Sequence, residues 1–258
     1  MTVDDAGVVA RWHSSHRGFL RLFDGASPGA TVVDRDDGIL ALRCPVRPER
    51  SLVNSAVYED PAALEAALPE LAAWYDGAGV QAWTVWVHAG DEVGAATCAR
   101  AGHVLDATPQ LMWAPLDAMD PGAAPPPGVA LDSAPDWKTV GDVNDAAHGL
   151  PRDHLSITLH GADPGACLRT AALVGGEPVA CAVVNRVGDD AHVLLVATLP
   201  AFRGRGLAAA CIRAGLARAR AAGATSTTLE ATAAGRPVYE RMGYRGLGAL
   251  GMWERRRG

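Results

Sequence analysis

The sequence lacks the features that mark membrane proteins, secreted proteins and nucleic-acid binders. No apolar run reaches the ~20 residues needed to cross a bilayer, and the first residues, Met-Thr-Val-Asp-Asp, do not form a signal peptide. The formal net charge of −6 gives no general attraction for nucleic acid or anionic lipid, so neither partner is expected. The five cysteines are odd in number and lack Cys-x-x-Cys spacing. We therefore expect reduced thiols in the core of a cytoplasmic protein.

The composition is that of a globular chain with enough apolar residues for a core. The 258 residues are 49% hydrophobic and 20% charged, which fits one or two domains. Apolar runs alternate with helical patterns, and this predicts an α/β protein with a mixed sheet. Prolines 125–127 favour extended backbone. They predict a linker at 121–128 between an N-terminal domain, 1–120, and a C-terminal domain, 129–258.

One segment combines a predicted buried strand, a glycine turn and a helix. The apolar run 192–198 predicts a strand, which Pro200 ends. Arg203-Gly204-Arg205-Gly206 follows, and a helical pattern runs from Ala208 to Ala219. Glycines let several backbone N–H groups point at one place, and a helix N-terminus adds unpaired N–H groups and positive dipole charge. With two arginines beside it, this turn is predicted to bind a pyrophosphate.

Three classes of protein could use such a turn. Gly204-x-Gly206-x-x-Ala209, with Glu230 further on, matches the dinucleotide-binding fingerprint in letters. That fingerprint, however, begins directly after its strand, whereas residues 200–203 intervene here. A nucleic-acid-binding Arg-Gly segment is expected in a low-complexity context, which the hydrophobic surroundings do not provide. The segment resembles best the acetyl-CoA-binding signature of the GCN5-related N-acetyltransferases (GNAT), Arg/Gln-x-x-Gly-x-Gly/Ala, met by Arg203, Gly206 and Ala208.

A second segment continues the resemblance. Residues 235–244, Gly-Arg-Pro-Val-Tyr-Glu-Arg-Met-Gly-Tyr, are similar to a GNAT motif in which a short helix carries a tyrosine before Gly-aromatic. The resemblance implies a mixed-sheet GNAT fold with acetyl-CoA between the strand that ends near Thr198 and the strand 225–231. The cofactor-binding residues that it implies are Val196, Ala197, Thr198, Arg203, Gly204, Arg205, Gly206, Leu207 and Ala208.

The same resemblance suggests catalytic residues. Tyr239 is the candidate general acid for the departing thiolate, the alternative being a tyrosine that only packs its ring. Many relatives carry a carboxylate on the strand before the turn, but residues 194–196 are apolar. Glu230, on the neighbouring strand, is the remaining candidate, although it can equally be structural. His192 is expected to face solvent.

The acceptor and metal predictions concern histidines and one aspartate. The helix and loop that border the acceptor site in the family carry His148, Asp153 and His154, which are predicted to contact substrate. His13 and His16 have the spacing of a pair on one helix face. They have no third ligand nearby in the sequence, so no metal is predicted.

The two halves of the chain resemble each other in outline. Helix 62–75, strand 80–88 and short helix 92–101 are matched in order by 207–222, 225–231 and 236–242. We infer a tandem arrangement of two GNAT-like halves, although such short series also recur by chance in α/β proteins. The N-terminal half is expected to be degenerate and not to bind CoA by this route. Tyr58-Glu59-Asp60-Pro61 replaces its anion turn, and Cys98 replaces its tyrosine.

The predicted function is therefore transfer of an acetyl group from acetyl-CoA to a small amine, by direct attack in a ternary complex. Another acyl-CoA or an oxygen nucleophile is an alternative within the same chemistry. A CoA-binding regulatory protein without catalysis is an alternative of a different class, because the strand 192–198 carries no carboxylate at 194–196. The sequence leaves the oligomeric state open.

Overall fold

The computed structural model describes residues 4–119 and 124–257. The predicted linker 121–128 therefore lies partly outside the described residues. The helices are α1 (Asp5–Arg21), α2 (Pro61–Gly77), α3 (Glu92–Arg100), α4 (Trp137–His148), α5 (Leu207–Ala221) and α6 (Arg236–Arg241). The strands are β1 (Thr31–Asp34), β2 (Leu40–Arg43), β3 (Ser55–Val57), β4 (Ala82–Val87), β5 (Val104–Ala107), β6 (Gln110–Pro115), β7 (Val129–Asp132), β8 (Leu168–Val174), β9 (Glu177–Val187), β10 (Asp190–Thr198), β11 (Ser226–Ala231), β12 (Arg245–Ala249) and β13 (Gly251–Arg256).

Two mixed sheets form the frame of the protein. The first has the strand order β1-β2-β3-β4-β13-β5, and the second has the order β12-β6-β11-β10-β9-β8-β7. Each sheet contains one parallel pair, β3–β4 in the first and β10–β11 in the second, among antiparallel neighbours. The mixed α/β class predicted from the sequence is confirmed. No described helix is both long and apolar enough to cross a bilayer.

Each sheet also contains one strand from the other side of the predicted linker. Strand β6 pairs with β11 and β12, while β13 pairs with β4 and β5. The order β3-β4-β13-β5 in one sheet thus repeats as β10-β11-β6-β12 in the other. This repetition supports the inferred tandem arrangement. The domain limits 1–120 and 129–258 stay a prediction, and the sheets exchange their last strands across them.

Apolar side chains fill three layers around the sheets. One cluster contains Trp12 and Phe19 of α1, Val140 of α4, and residues of both sheets such as Trp86 and Leu194. A second cluster lies with α5 and α6 against the second sheet, and a third lies with α2 and α3 against the first. Helix α1 packs against strands of both sheets, whereas α4 packs against β9 and β10 of the second. All five cysteines are free and buried, as predicted.

The buried side chain of His103 is expected to make the stability of the protein depend on pH. Its side chain is 4% exposed and packs edge-on against Trp83, with ring centroids 4.5 Å apart. Burial, together with the charge of Arg255, lowers its pKa to about 4. Unfolded histidine titrates near pH 6.5, so between these two values the unfolded chain binds more protons and stability falls as the pH falls.

We expect this histidine to cost the protein about 2 kcal/mol of unfolding free energy between pH 7 and pH 5. The measurement is guanidinium unfolding at both pH values for the wild type and for His103→Phe, which cannot titrate. The exposed His160→Gln serves as the control. The same pH dependence in wild type and His103→Phe would contradict the assignment.

Candidate active site

The strands β10 and β11 are paired over only part of their length. Their parallel register runs from Asp190–Ser226 to Val193–Leu229, whereas β10 continues to Thr198. A bulge after Leu194 interrupts the pairing of β10 with β9, and Leu195 there has a φ of 49°. Beyond Val193 the two strands therefore part, and the last residues of β10 are available to a third, extended chain.

Helix α5 begins without the acidic cap that four other helices have. The side chains of Asp4, Asp60, Asp91 and Asp136 accept hydrogen bonds from backbone N–H groups at the starts of α1, α2, α3 and α4. The N-cap of α5 is Gly206, which has no side chain to accept a bond, and the first turn contains no acidic residue. The N–H groups of this turn are left for an external acceptor, which the helix dipole favours when it is an anion.

Glycine stands at the two positions of the turn where the backbone requires it. Gly204 has a φ of 74° and Gly206 a φ of 76°, in the left-handed region that other residues rarely adopt. A Cβ atom at Gly204 would meet nothing within 4 Å, and one at Gly206 would meet only Pro126, at 3.9 Å. Conformation rather than space therefore selects glycine, and the turn stays open on its outer side.

The two arginines of the turn have different contacts. Arg203 donates from Nη2 to the carbonyl of Ala147, at 2.7 Å, and from Nε to the carbonyl of Thr198, at 3.2 Å. It thereby ties the turn to the ends of α4 and β10. The exposed guanidinium of Arg205 lies over the ring of Phe202, 5.4 Å from its centroid. Arg203 thus positions the turn through its two bonds, whereas the guanidinium of Arg205 is exposed to solvent beside it.

Tyr239 lies in α6 with its side chain buried. The residue is 8% exposed, and its ring packs edge-on against Tyr244 with centroids 5.8 Å apart. The hydroxyl of Tyr244 bonds to Thr227 Oγ1 at 2.9 Å, but that of Tyr239 has no hydrogen-bond partner among the described residues. Burial, with the charge of Glu230, raises the pKa of Tyr239 to about 12. Tyr239 is therefore a neutral phenol whose hydroxyl proton makes no hydrogen bond to the described residues.

Glu230 belongs to a buried polar cluster to which α1 contributes. Trp12 Nε1 donates to its Oε1, and His16 Nδ1 lies 3.0 Å from the same oxygen. On the other side, His192 Nε2 lies 3.4 Å from Oε2. Burial by itself would raise the pKa of Glu230, but His192 and His16 outweigh it and hold that pKa well below its usual range. The carboxylate is thus ionised, and its side chain is 13% exposed.

The uncapped turn and Tyr239 lie in a segment that matches a known protein family. Residues 135–244 match the acetyltransferase (GNAT) family. The match begins two residues before α4 and ends three residues after α6. It therefore contains both the uncapped turn and Tyr239. A search of curated proteins found no relative that matches the chain.

Solved structures with the same fold cover nearly the whole chain. A GCN5-related N-acetyltransferase from Kribbella flavida has a TM-score of 0.67 and 18% identity over 96% of each chain. One from Sphaerobacter thermophilus has a TM-score of 0.60 and 17% identity, over 99% of this chain and 95% of its own. A tandem GNAT protein from the clavulanic acid biosynthesis pathway has 0.59 and 16%, over 95% and 88%. At these identities the likeness is one of fold.

The buried position of His192 corrects one sequence expectation. His192 was expected to face solvent from the start of its strand, yet it is 0% exposed because α1 covers this face of the second sheet. Trp12 and His16 were not predicted as site residues. They lie four positions apart on one face of α1, so the apolar face of that helix was the signal that could have pointed to them.

The predicted acceptor residues lie at the end of α4 and in the loop after it. His148 is exposed, and Asp153 has a φ of 60°. Burial and the nearby charges of Arg50 and Arg47 lower the pKa of His154. Arg47 also donates to the carbonyls of Asp153 and His154, at 2.8 and 2.9 Å. A residue of the N-terminal half thus holds the loop that follows α4, within the matched residues 135–244.

The matching place in the first sheet lacks an open anion turn. Asp60 Oδ1 accepts from the N–H of Ala62, so a carboxylate already occupies the start of α2. Cys98 of the N-terminal half takes the place that Tyr239 has in the C-terminal half. It is 0% exposed, and burial raises its pKa to about 12. These contacts agree with the expectation that the N-terminal half does not bind CoA by this route, which stays a prediction.

Proposed function

We propose that this protein is an N-acetyltransferase that transfers the acetyl group of acetyl-CoA to a small amine, by direct attack in a ternary complex. The observation that carries the proposal is the uncapped start of α5 beside the parting strands β10 and β11, within a segment that matches the GNAT family. Acetyl-CoA, when bound, supplies an acetyl group activated as a thioester. The free, buried cysteines are compatible with the cytoplasmic setting that we also propose.

The cofactor-binding residues would act mainly through their backbone. The N–H groups from Gly204 to Ala208 would receive the pyrophosphate, with the guanidinium of Arg205 beside it. The backbone groups of Val196, Ala197 and Thr198 would pair with the pantetheine arm, because β10 is no longer paired with β11 at these residues. They would also hold the thioester carbonyl in place for attack.

Two proton transfers complete the reaction. Tyr239, neutral and without a hydrogen-bond partner in the described structure, would donate its proton to the departing thiolate. The acceptor must be an uncharged amine at the moment of attack. Residues 194–196 offer no carboxylate for this step, so we propose that the proton leaves through the polar cluster around Glu230. His148, Asp153 and His154 would border the acceptor.

The deciding test is release of free thiol from acetyl-CoA in the presence of a panel of small amines. Turnover with at least one amine supports the proposal, and mass spectrometry of the product shows whether nitrogen or oxygen was acetylated. Calorimetric binding of acetyl-CoA without turnover on any acceptor would instead support the regulatory alternative. The same assay with longer acyl-CoA donors measures the preference for the acyl chain.

Substitution of the two arginines should separate their roles. Arg205→Ala is expected to weaken acetyl-CoA binding about 10-fold, the loss of one exposed charge-assisted contact, with unchanged stability. Arg203→Ala is expected to lower the unfolding free energy by about 1–3 kcal/mol, because it leaves the carbonyls of Ala147 and Thr198 without their donor. Calorimetry and guanidinium unfolding of both variants provide the measurement. Equal effects in both experiments would contradict the division of roles.

A further inference from the structure

We propose that His16, His192 and Glu230 form a binding site for a divalent transition-metal ion of the zinc type. One potential ligand atom from each residue lies within 4.8 Å of those from the other two. Two imidazoles and one carboxylate are a donor set of catalytic zinc sites, in which water takes the fourth position. The sequence offered His16 no third ligand, but the fold brings β10 and β11 against α1 and supplies both of the others.

The hydrogen bonds around His192 determine which of its nitrogens is available. Thr228 Oγ1 donates its single proton to Asp190 Oδ2 at 2.5 Å, so it accepts from His192 Nδ1, 3.1 Å away. In a neutral imidazole Nε2 then carries a lone pair, and it faces Glu230 Oε2 at 3.4 Å. Two electron-rich atoms in this position are held together by a positive charge between them, either a proton on His192 Nε2 or a bound cation. Neighbouring ligand atoms in a tetrahedral zinc shell are about 3.3 Å apart.

One nitrogen of each histidine ring also lacks a hydrogen bond among the described residues. Nε2 of His16 and Nε2 of His192 are both buried and form no hydrogen bond within the described part of the chain. The two residues are 1% and 0% exposed. Buried polar atoms of folded proteins nearly always have a partner. A bound ion would give His192 Nε2 that partner, and His16 can present either nitrogen to it.

The charge of the cluster fits a dication. Asp190 is bonded to the hydroxyls of Ser15, Ser226 and Thr228, and Glu230 to Trp12 and His16. Among residues 4–119 and 124–257, no lysine or arginine forms an ion pair with either carboxylate. A divalent cation would offset both negative charges. Two sets of hydrogen bonds are of the kind that orient zinc ligands. One runs from His192 through Thr228 to Asp190, and the other joins the indole of Trp12 to Glu230.

An occupied site would also bear on the reaction. Zinc makes its bound water acidic, so the ion would supply next to Glu230 the base that residues 194–196 lack. This role depends on the proposed acetyl transfer, whereas binding of the ion does not. Zinc binding and thiol release are therefore measured separately, and either can fail without the other.

The test is titration of untagged, chelator-stripped protein with zinc chloride in a calorimeter. We expect one zinc ion per chain, and the intense visible absorption of tetrahedral coordination when cobalt(II) replaces zinc. His192→Gln should abolish this binding. Thr228→Val, which keeps the side-chain shape but removes the outer hydrogen bond, should weaken it about 10-fold to 100-fold. The exposed His160→Gln should bind as the wild type does.

Circular dichroism establishes that each variant is folded, and the cobalt spectrum of the wild type stands even if one is not. The proposal is overturned if the wild type binds neither ion. It is also overturned if folded His192→Gln and Thr228→Val bind zinc as tightly as the wild type. Binding of acetyl-CoA by the stripped protein shows independently whether the cofactor site is intact.

Discussion

Gly206→Glu abolishes acetyl-CoA binding in our account, while the protein remains folded. The substitution places a carboxylate at the start of α5, where the N–H groups of the first turn would otherwise receive the pyrophosphate. The repulsion between this carboxylate and a phosphate charge about 4 Å away is about 1 kcal/mol in water and about 4 kcal/mol near a protein surface. The new carboxylate can in addition accept the N–H bonds itself, as Asp136 does in α4. We expect at least a ~100-fold loss of affinity by calorimetry.

Gly223→Glu is the matched control at the other end of the same helix. Gly223 also has a positive φ, 99°, and a Cβ atom there would meet nothing within 4 Å. Both variants therefore place glutamate in a left-handed conformation, which costs about 1–2 kcal/mol. Only Gly206→Glu adds charge at the turn. Similar acetyl-CoA affinities in the two variants would mean that acetyl-CoA does not bind at the start of α5.

Tyr239→Phe should reduce kcat with little change in the affinity for acetyl-CoA. General acids typically contribute ~100-fold to ~10,000-fold to a rate, and we expect a loss in that range. The hydroxyl of Tyr239 has no hydrogen-bond partner among the described residues, so its removal should leave the unfolding free energy unchanged. Steady-state kinetics of thiol release and guanidinium unfolding are the two measurements.

Tyr244→Phe provides the comparison for this result. Thr227 Oγ1 donates to the carbonyl of Ala191, so the hydroxyl of Tyr244 donates to Thr227 Oγ1. Loss of this buried bond should cost about 0.5–1.5 kcal/mol of stability and leave kcat unchanged. If Tyr239→Phe loses stability and retains its rate, the tyrosine only packs its ring, and the general acid must be sought elsewhere.

The parts of the fold that the sequence predicted are determined by local chemistry. Helix α2 follows Asp60 and Pro61, a cap and a first-turn proline whose meaning does not depend on the rest of the chain. The glycine turn is likewise local, since Gly204 and Gly206 are needed for their own backbone conformation. The predicted helices and most strands accordingly lie within a few residues of the observed ones.

The strands that the prediction missed have weak local patterns. Strand β5 has exposed apolar residues, Val104 at 71% and Leu105 at 45%, so the alternation typical of a half-buried strand is absent. Strand β12 contains Gly246 and Gly248, which disfavour strands in isolation. Strand β3 has only three residues, because Ser51–Val53 before it form a 3-10 turn.

The arrangement of the site depends on contacts that sequence spacing does not encode. The exchange of β6 and β13 between the sheets joins segments more than a hundred residues apart, as does the approach of His16 to Glu230. The left-handed φ of Leu195 opens β10 at a residue type that usually avoids this conformation. The two bonds of Arg203 to carbonyls show that a motif residue can act by positioning a turn rather than by meeting the ligand.

A crystal structure of the protein with acetyl-CoA tests the central claim most directly. We expect the pyrophosphate on the N–H groups between Gly204 and Ala208, the pantetheine arm alongside residues 196–198, and the thioester near the hydroxyl of Tyr239. Electron density for the carrier in any other part of the molecule, with the start of α5 in contact with solvent alone, would contradict it.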